Sequence, residues 1–100
     1  HMLNEGAGIE TDLTVVCIDK NHFRIISSAA VRTHDKTHIK KHLSKNVKFK
    51  DVTDDLICLG VFGPKSRDLL SQITNEDLSN ENFKCGTSKK SKVGLISVWV

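Results

Sequence analysis

Tyrosine is absent from this chain, tryptophan occurs once and phenylalanine four times. So few flat rings offer little for single-stranded nucleic acid to stack on, and nucleic acid is not expected as a partner. No apolar run approaches the ~18 residues of a membrane-crossing helix, so a membrane partner is not expected either. Cysteine is scarce: Cys17, Cys58 and Cys85 are odd in number and far apart, with no CxxC pair. That excludes a disulfide framework and a cysteine zinc site, and suits reduced thiols in the cytoplasm or, in a eukaryote, the mitochondrial matrix. Cys17 and Cys58 lie inside apolar runs and are expected to be buried as small hydrophobes.

What remains is an ordinary globular composition, with 38% hydrophobic and 27% charged residues over 100 positions. Such a chain builds one core but not two. His1-Met2 reads as the remnant of a cleaved tag. The sequence also stops within an apolar run, Leu95 to Val100. Residues 3–100 are therefore expected to form a single subdomain, incomplete at both ends.

The net charge of +3 conceals segregation. Residues 1–19 carry four acids and no bases, and residues 20–50 carry nine bases against one acid. Residues 51–82 then hold seven acids against two bases, and residues 83–100 four bases. Such a pattern suits an anionic ligand or acidic partner at the basic part, or opposite charges meeting across a solvated surface.

Leu13 to Asp19 reads as a strand, Lys20-Asn21 as a turn and His22 to Ser28 as a second strand, together a hairpin. From Ala29 to Leu43 the apolar period becomes helical. Val47 to Val52 alternates as a half-exposed strand would, and Leu56 to Phe62 is apolar enough for a strand covered on both faces. Gly63-Pro64 opens a short helix to Ile73, with Leu69, Leu70 and Ile73 inward. Thr74 to Asn82 is polar, and Ser91 to Gly94 leads into a terminal strand, Leu95 to Val100. Phe62 and Trp99 are expected in the core. The fold class is α+β: a mainly antiparallel sheet with two helices packed on it, in the ferredoxin-like order β-β-α-β-β-α-β.

The candidate chemistry lies at one acid. Asp12 sits between a glycine-containing turn and the β-branched run, where a rigid strand end would hold a carboxylate against a ligand. By composition alone it is a turn residue. The surrounding residues Gly8-Ile9-Glu10-Thr11-Asp12-Leu13-Thr14-Val15 resemble a strand of the glycine-cleavage T-protein (aminomethyltransferase) superfamily. The likeness is to the form found in the C-terminal half of sarcosine and dimethylglycine dehydrogenases, with Ala7 where a glycine is usual. Gly63-Pro64-Lys65-Ser66-Arg67 resembles that family's Gly-Pro-x-(Ala/Ser)-Arg junction. Asp77-Leu78-Ser79-Asn80-Glu81-Asn82-Phe83 resembles its "DLSNEAF" loop.

The resemblance implies a central subdomain of a folate-binding enzyme that transfers a one-carbon unit to tetrahydrofolate. Asp12 would then be the catalytic carboxylate, hydrogen-bonded to the reduced pterin near N5 and N10 and accepting the proton of the pterin amine. Glu10 and Ser28 would be further folate contacts, with Ser28 standing where the T-protein proper has asparagine. FAD would belong to a domain outside this chain. Family members are roughly three times as long, so the 100 residues alone are expected to be inactive. The alternative is a non-catalytic regulatory or interaction module that keeps the scaffold. A third reading, nucleic-acid binding through the basic helix, is the weakest.

His34, His38 and His42 repeat every four residues along one helix face. Two of them could ligate a metal, but no glutamate of the HExxH kind accompanies them, and no metal is expected. The lysines around them could receive the anionic glutamyl tail of folate or an acidic carrier protein.

Overall fold

The β-branched run after Leu13 forms the structure its composition favours. Strands β3 (Thr14–Asp19) and β4 (His22–Ile26) pair antiparallel. Asp19 closes the turn between them by accepting the Asn21 N–H on Oδ1 at 2.9 Å, a local bond that aspartate offers readily. The register passes from Cys17↔Phe23 to Asp19↔His22, which leaves Ile18 as the extra residue of a bulge. This computed structural model describes residues 1–100, and the chain forms two compact units, His1–Ile57 and Cys58–Val100.

The first unit adds a smaller hairpin, β1 (Met2–Leu3) with β2 (Ile9–Thr11). After β4, a single 3-10 turn at Ala29–Val31 leads into helix α1 (Arg32–His42). This is the segment whose apolar period is helical. Asp35 in the first turn and Lys40, Lys41 and His42 in the last match the partial charges of the helix ends.

Beyond α1 two expectations fail. Val47 to Val52 is irregular rather than a strand. Asp51 reaches Arg32 and Lys36 of α1 and turns the backbone locally by accepting the Thr53 N–H at 3.1 Å. Leu56 to Phe62 is also irregular, with Ile57 89% and Phe62 92% exposed. An apolar run becomes a buried strand only where neighbours supply hydrogen bonds and cover, and no strand pairs with this one.

In the second unit, helix α2 spans Ser66–Ser71, shorter than the stretch from Pro64 to Ile73. Leu69 and Ile73 are exposed and Leu70 is half-buried. The C-terminal strand forms as β6 (Ile96–Trp99), paired with β5 (Lys90–Val93). Gly94 begins their two-residue turn at φ +57°, a conformation that glycine adopts without strain. The polar stretch before β5 is ordered by its own side chains. Asp77 accepts the Ser79 N–H at 2.8 Å and the Asn82 Nδ2–H at 2.7 Å. Within this loop Leu78, 4% exposed, is the buried apolar residue of the chain.

The class is α+β with antiparallel strands, as the sequence indicates, but the strands form three separate two-stranded sheets. The two strands expected between the helices are missing, so the ferredoxin-like order is not realised. Cys17 and Cys58 are exposed rather than buried, and Trp99 is half-buried with the Lys90 ammonium 5.7 Å from its ring centroid. A two-stranded ribbon has no interior of its own, which leaves Cys17 and Trp99 short of cover, while Cys58 lies in an irregular segment with no strand beside it.

Candidate functional site

The segment leading to Asp12 is held by one asparagine. The Asn4 Oδ1 accepts the N–H groups of Gly6 at 3.0 Å and Gly8 at 2.9 Å. Its carbonyl accepts the Ala7 N–H at 3.0 Å, and its own N–H donates to the Gly8 carbonyl at 2.9 Å. Ala7 is thereby held at φ +60°, in the left-handed region where a Cβ is disfavoured. A Cβ on Gly8 would lie 2.9 Å from the Asn4 Nδ2, so a side chain there would displace the amide that organises the turn.

This turn hands the chain to β2 through a bulge. Met2 pairs with Thr11 and Leu3 with Ile9, leaving Glu10 as the extra residue. Bulges re-aim side chains, and Glu10 is aimed at two partners. Its Oε1 accepts from Asn4 Nδ2 at 2.9 Å, and its Oε2 lies 3.0 Å from His34 Nε2 on α1. The other imidazole nitrogen, Nδ1, is 3.0 Å from Asp35 Oδ1. The Asn4 amide and then the His34 ring hold the Glu10 carboxyl below its ordinary range. The hydrogen bond to Asp35, and then that to Glu10, raise His34 above the ordinary histidine value. Asp35 is 2% exposed, and its Oδ2 is buried without a hydrogen-bond partner.

Asp12 follows β2 with its side chain 79% exposed, its Oδ1 3.1 Å from His1 Nδ1. The two leading residues read as a tag remnant are thus engaged, Met2 in β1 and His1 at Asp12. Ser28 lies after β4, exposed, and only its carbonyl is used, accepting the Val31 N–H at 3.2 Å. Glu10 and Asp12 therefore share a segment but face different partners, and no hydrogen bond joins Ser28 to either. Sequence reasoning missed Asn4, His34 and Asp35 as members of this cluster. An asparagine opening Asn4-Glu5-Gly6-Ala7-Gly8 was a readable turn signal. The meeting of His34 with Glu10 had no local signal, because 24 positions separate them.

The charge segregation has a structural outcome in the same unit. Arg32 grips Asp54 with both terminal nitrogens, at 3.0 and 2.9 Å, and reaches Asp51 Oδ2 through Nε and Nη2 at 3.3 and 3.1 Å. Lys36 Nζ joins the same Asp51 oxygen at 3.2 Å. Hydrogen bonds from Thr53, Lys36 and Arg32 hold Asp51 far below the usual carboxylate range, and Asp54 and Asp51 raise Arg32. Basic and acidic segments thus meet each other, and Arg32 and Lys36 are already engaged. A cleft of about 450 Å³ lies between β4, α1 and residues 48–53, bordered by Phe23, Ile39 and Phe49. Asp12, Glu10 and Ser28 are not among its walls.

The histidine row does not act as a unit. His34 turns to the two carboxylates, while His42 Nδ1 lies 2.8 Å from the His38 carbonyl oxygen. Histidine, cysteine and carboxylate side chains nowhere assemble in threes able to hold a metal ion, and no helix is long and apolar enough to cross a membrane.

The chain resembles several known proteins in sequence. The chain is 36% identical over 98% of its length to dimethylglycine dehydrogenase, mitochondrial, of Homo sapiens. It is 31% identical over 88% of its length to human sarcosine dehydrogenase, mitochondrial. The pyruvate dehydrogenase phosphatase regulatory subunit, mitochondrial, of Mus musculus is 30% identical over 93% of the chain. The chain spans only 12%, 11% and 11% of the lengths of these three proteins. No solved structure matches significantly. The GCVT N-terminal domain family model matches residues 1–100, the same span that carries the Gly8–Val15, Gly63–Arg67 and Asp77–Phe83 blocks, and the chain belongs to that glycine-cleavage T-protein family.

Proposed function

We propose that this chain is the folate-contacting part of an enzyme that transfers a one-carbon unit to tetrahydrofolate, with Asp12 as the catalytic carboxylate. The observation that carries the reading is the placement of Asp12. It is an exposed acid at the end of a short strand whose approach is locked by Asn4 and Glu10. A carboxylate held this way offers an acceptor to a ligand N–H. As the folate amine forms its bond to an iminium carbon, it becomes cationic. The carboxylate orients that amine, stabilises the developing charge and takes the departing proton. Glu10 holds the segment and Ser28 offers a hydroxyl for a further polar contact.

The residues fit tetrahydrofolate as a recognition edge rather than as a closed pocket. Asp12 is exposed beside His1, and the cleft of about 450 Å³ in its unit is walled by other residues. Enclosure must come from additional protein, so the 100 residues alone are inactive. The named relatives are far longer, and the dehydrogenases among them act on N-methyl amino acids by name. On this reading the methylamine donor, an FAD domain and an acidic carrier protein belong to the longer assembly. Its location is then mitochondrial, following the relatives' names.

A second reading is favoured by one observation: a relative named as a phosphatase regulatory subunit matches 93% of the chain. In that case the scaffold serves protein regulation without transfer. Calorimetry with tetrahydrofolate on the longest polypeptide carrying this chain separates the two. The enzyme reading expects binding, and a loss of one-carbon transfer of about 10²–10⁴-fold in Asp12→Asn. Equal turnover by the variant overturns the role of Asp12, and an absence of folate binding favours the regulatory reading.

A further inference from the structure

We propose that Glu10, His34 and Asp35 form a proton-holding clasp, in which one imidazolium ties the strand leading to Asp12 to helix α1 and makes His34 a positioning residue. For what is positioned, the inference rests on the folate reading. The clasp itself stands on geometry. Both ring nitrogens of His34 lie 3.0 Å from carboxylate oxygens, Nε2 from Glu10 and Nδ1 from Asp35. A neutral imidazole has one N–H and one lone pair, and an ionised carboxylate only accepts. With a neutral ring between two carboxylates, one contact would set lone pair against lone pair. One more proton makes both contacts attractive, and on the imidazolium it turns both into charge-assisted donations.

Burial gives that proton a second reason to stay. Asp35 is the most enclosed side chain of the protein, with Oδ2 unpartnered. An isolated buried carboxylate is costly, and the only hydrogen bond to its side chain comes from His34. The other groups facing the trio are few. Asn4 Nδ2 binds the free oxygen of Glu10 at 2.9 Å, and the His38 ring lies 6.4 Å from that of His34 on the same helix. The directions agree, with His34 raised and Glu10 lowered. Because Glu10 is the bulged residue of β2, holding it fixes the strand two residues before Asp12. Loss of the proton removes one donation and releases either Glu10 or Asp35.

The test is a two-part measurement. Proton and carbon NMR of the histidine Cε1–H groups in this chain, assigned by His34→Gln, gives the His34 titration. The expected midpoint lies above the ordinary value of about 6.5 and falls towards it in Glu10→Gln. A midpoint at or below the ordinary value overturns the clasp, as does a midpoint that Glu10→Gln leaves unmoved. Tetrahydrofolate affinity of the longest polypeptide carrying the chain is then followed across the same pH range. It should weaken by about tenfold through the His34 midpoint, the equivalent of one charge-assisted hydrogen bond. In His34→Gln that pH dependence should vanish, and circular dichroism confirms that the variant is folded. Affinity that ignores pH while His34 titrates high overturns the positioning role. A high His34 midpoint with no folate binding at any pH leaves the clasp standing and rejects the folate reading instead.

Discussion

The two units of this chain are held together by different physics. In His1–Ile57 the long-range side-chain bonds are ionic: Glu10 to His34, Arg32 to Asp51 and Asp54, and Lys36 to Asp51. In Cys58–Val100 one ion pair, Lys89 to Glu76 at 2.9 Å, stands beside neutral links. Leu78 is buried, the Thr74 and Ser91 hydroxyls meet at 3.1 Å, and the Gly94 N–H donates to the Ile73 carbonyl at 3.1 Å. The first unit is therefore the one that pH and salt should govern, while the second should respond to lost packing. The candidate chemistry lies in the ionic unit, where strength depends on protonation.

The largest expected stability effect tests the neutral unit. Leu78→Ala should cost about 2–5 kcal/mol, as removal of a buried leucine does. Hydrogen exchange followed by mass spectrometry should show the loss in residues 58–100 and little change in residues 1–57. Spread of the effect into both units would break the comparison.

Acid should act in the opposite sense. Glu10, Asp51 and Asp54 are lowered in the first unit, whereas Asp77 alone is lowered in the second. A lowered carboxylate contributes stability that is present above its unfolded value and lost as pH falls through its folded value. His34 is raised, so its contribution is complete below about 6.5 and lost as pH rises through the raised value. Exchange protection of residues 1–57 should thus fall at both ends of a pH titration, and that of residues 58–100 at the acid end only. Added salt should weaken the first unit more, since its ion pairs are partly exposed.

Ser91→Ala should cost about 1 kcal/mol by removing one hydrogen bond from a part-buried hydroxyl pair, read by denaturant unfolding and insensitive to salt. The smallest effect is a gain. Ala7→Gly relieves the left-handed residue and should stabilise the turn before β2 by about 0.5–1 kcal/mol, the net of strain relief over backbone entropy. It should also slow exchange of the Gly8 amide.

The sequence was readable wherever the determining bonds are local. The hairpin of β3 and β4 follows from β-branched runs around Lys20-Asn21, and α1 from a helical apolar period. Leu56 to Phe62 and Val47 to Val52 read as strands because period and hydropathy describe what a segment would prefer, while a strand also needs a neighbour. Cys58 is exposed for that reason, and Cys17 because its paired ribbon has no covering layer; both thiols should react readily with an aromatic disulfide reagent in the folded chain. At the candidate site, Asp12, Glu10 and Ser28 were named from motif resemblance. The roles of Asn4, His34 and Asp35 came only from where the chain folds back.

By itself the sequence determined the family, the α+β class, the first hairpin and the segment that presents Asp12, because motifs and short-range periodicity are properties of consecutive residues. Only the tertiary structure decided which charges neutralise one another. It placed Asp51 under Arg32 and Lys36, and it set His34 between Glu10 and Asp35. The reason is that Coulombic and hydrogen-bond energies depend on distances between atoms, and 15 to 24 positions of chain separate most of these partners.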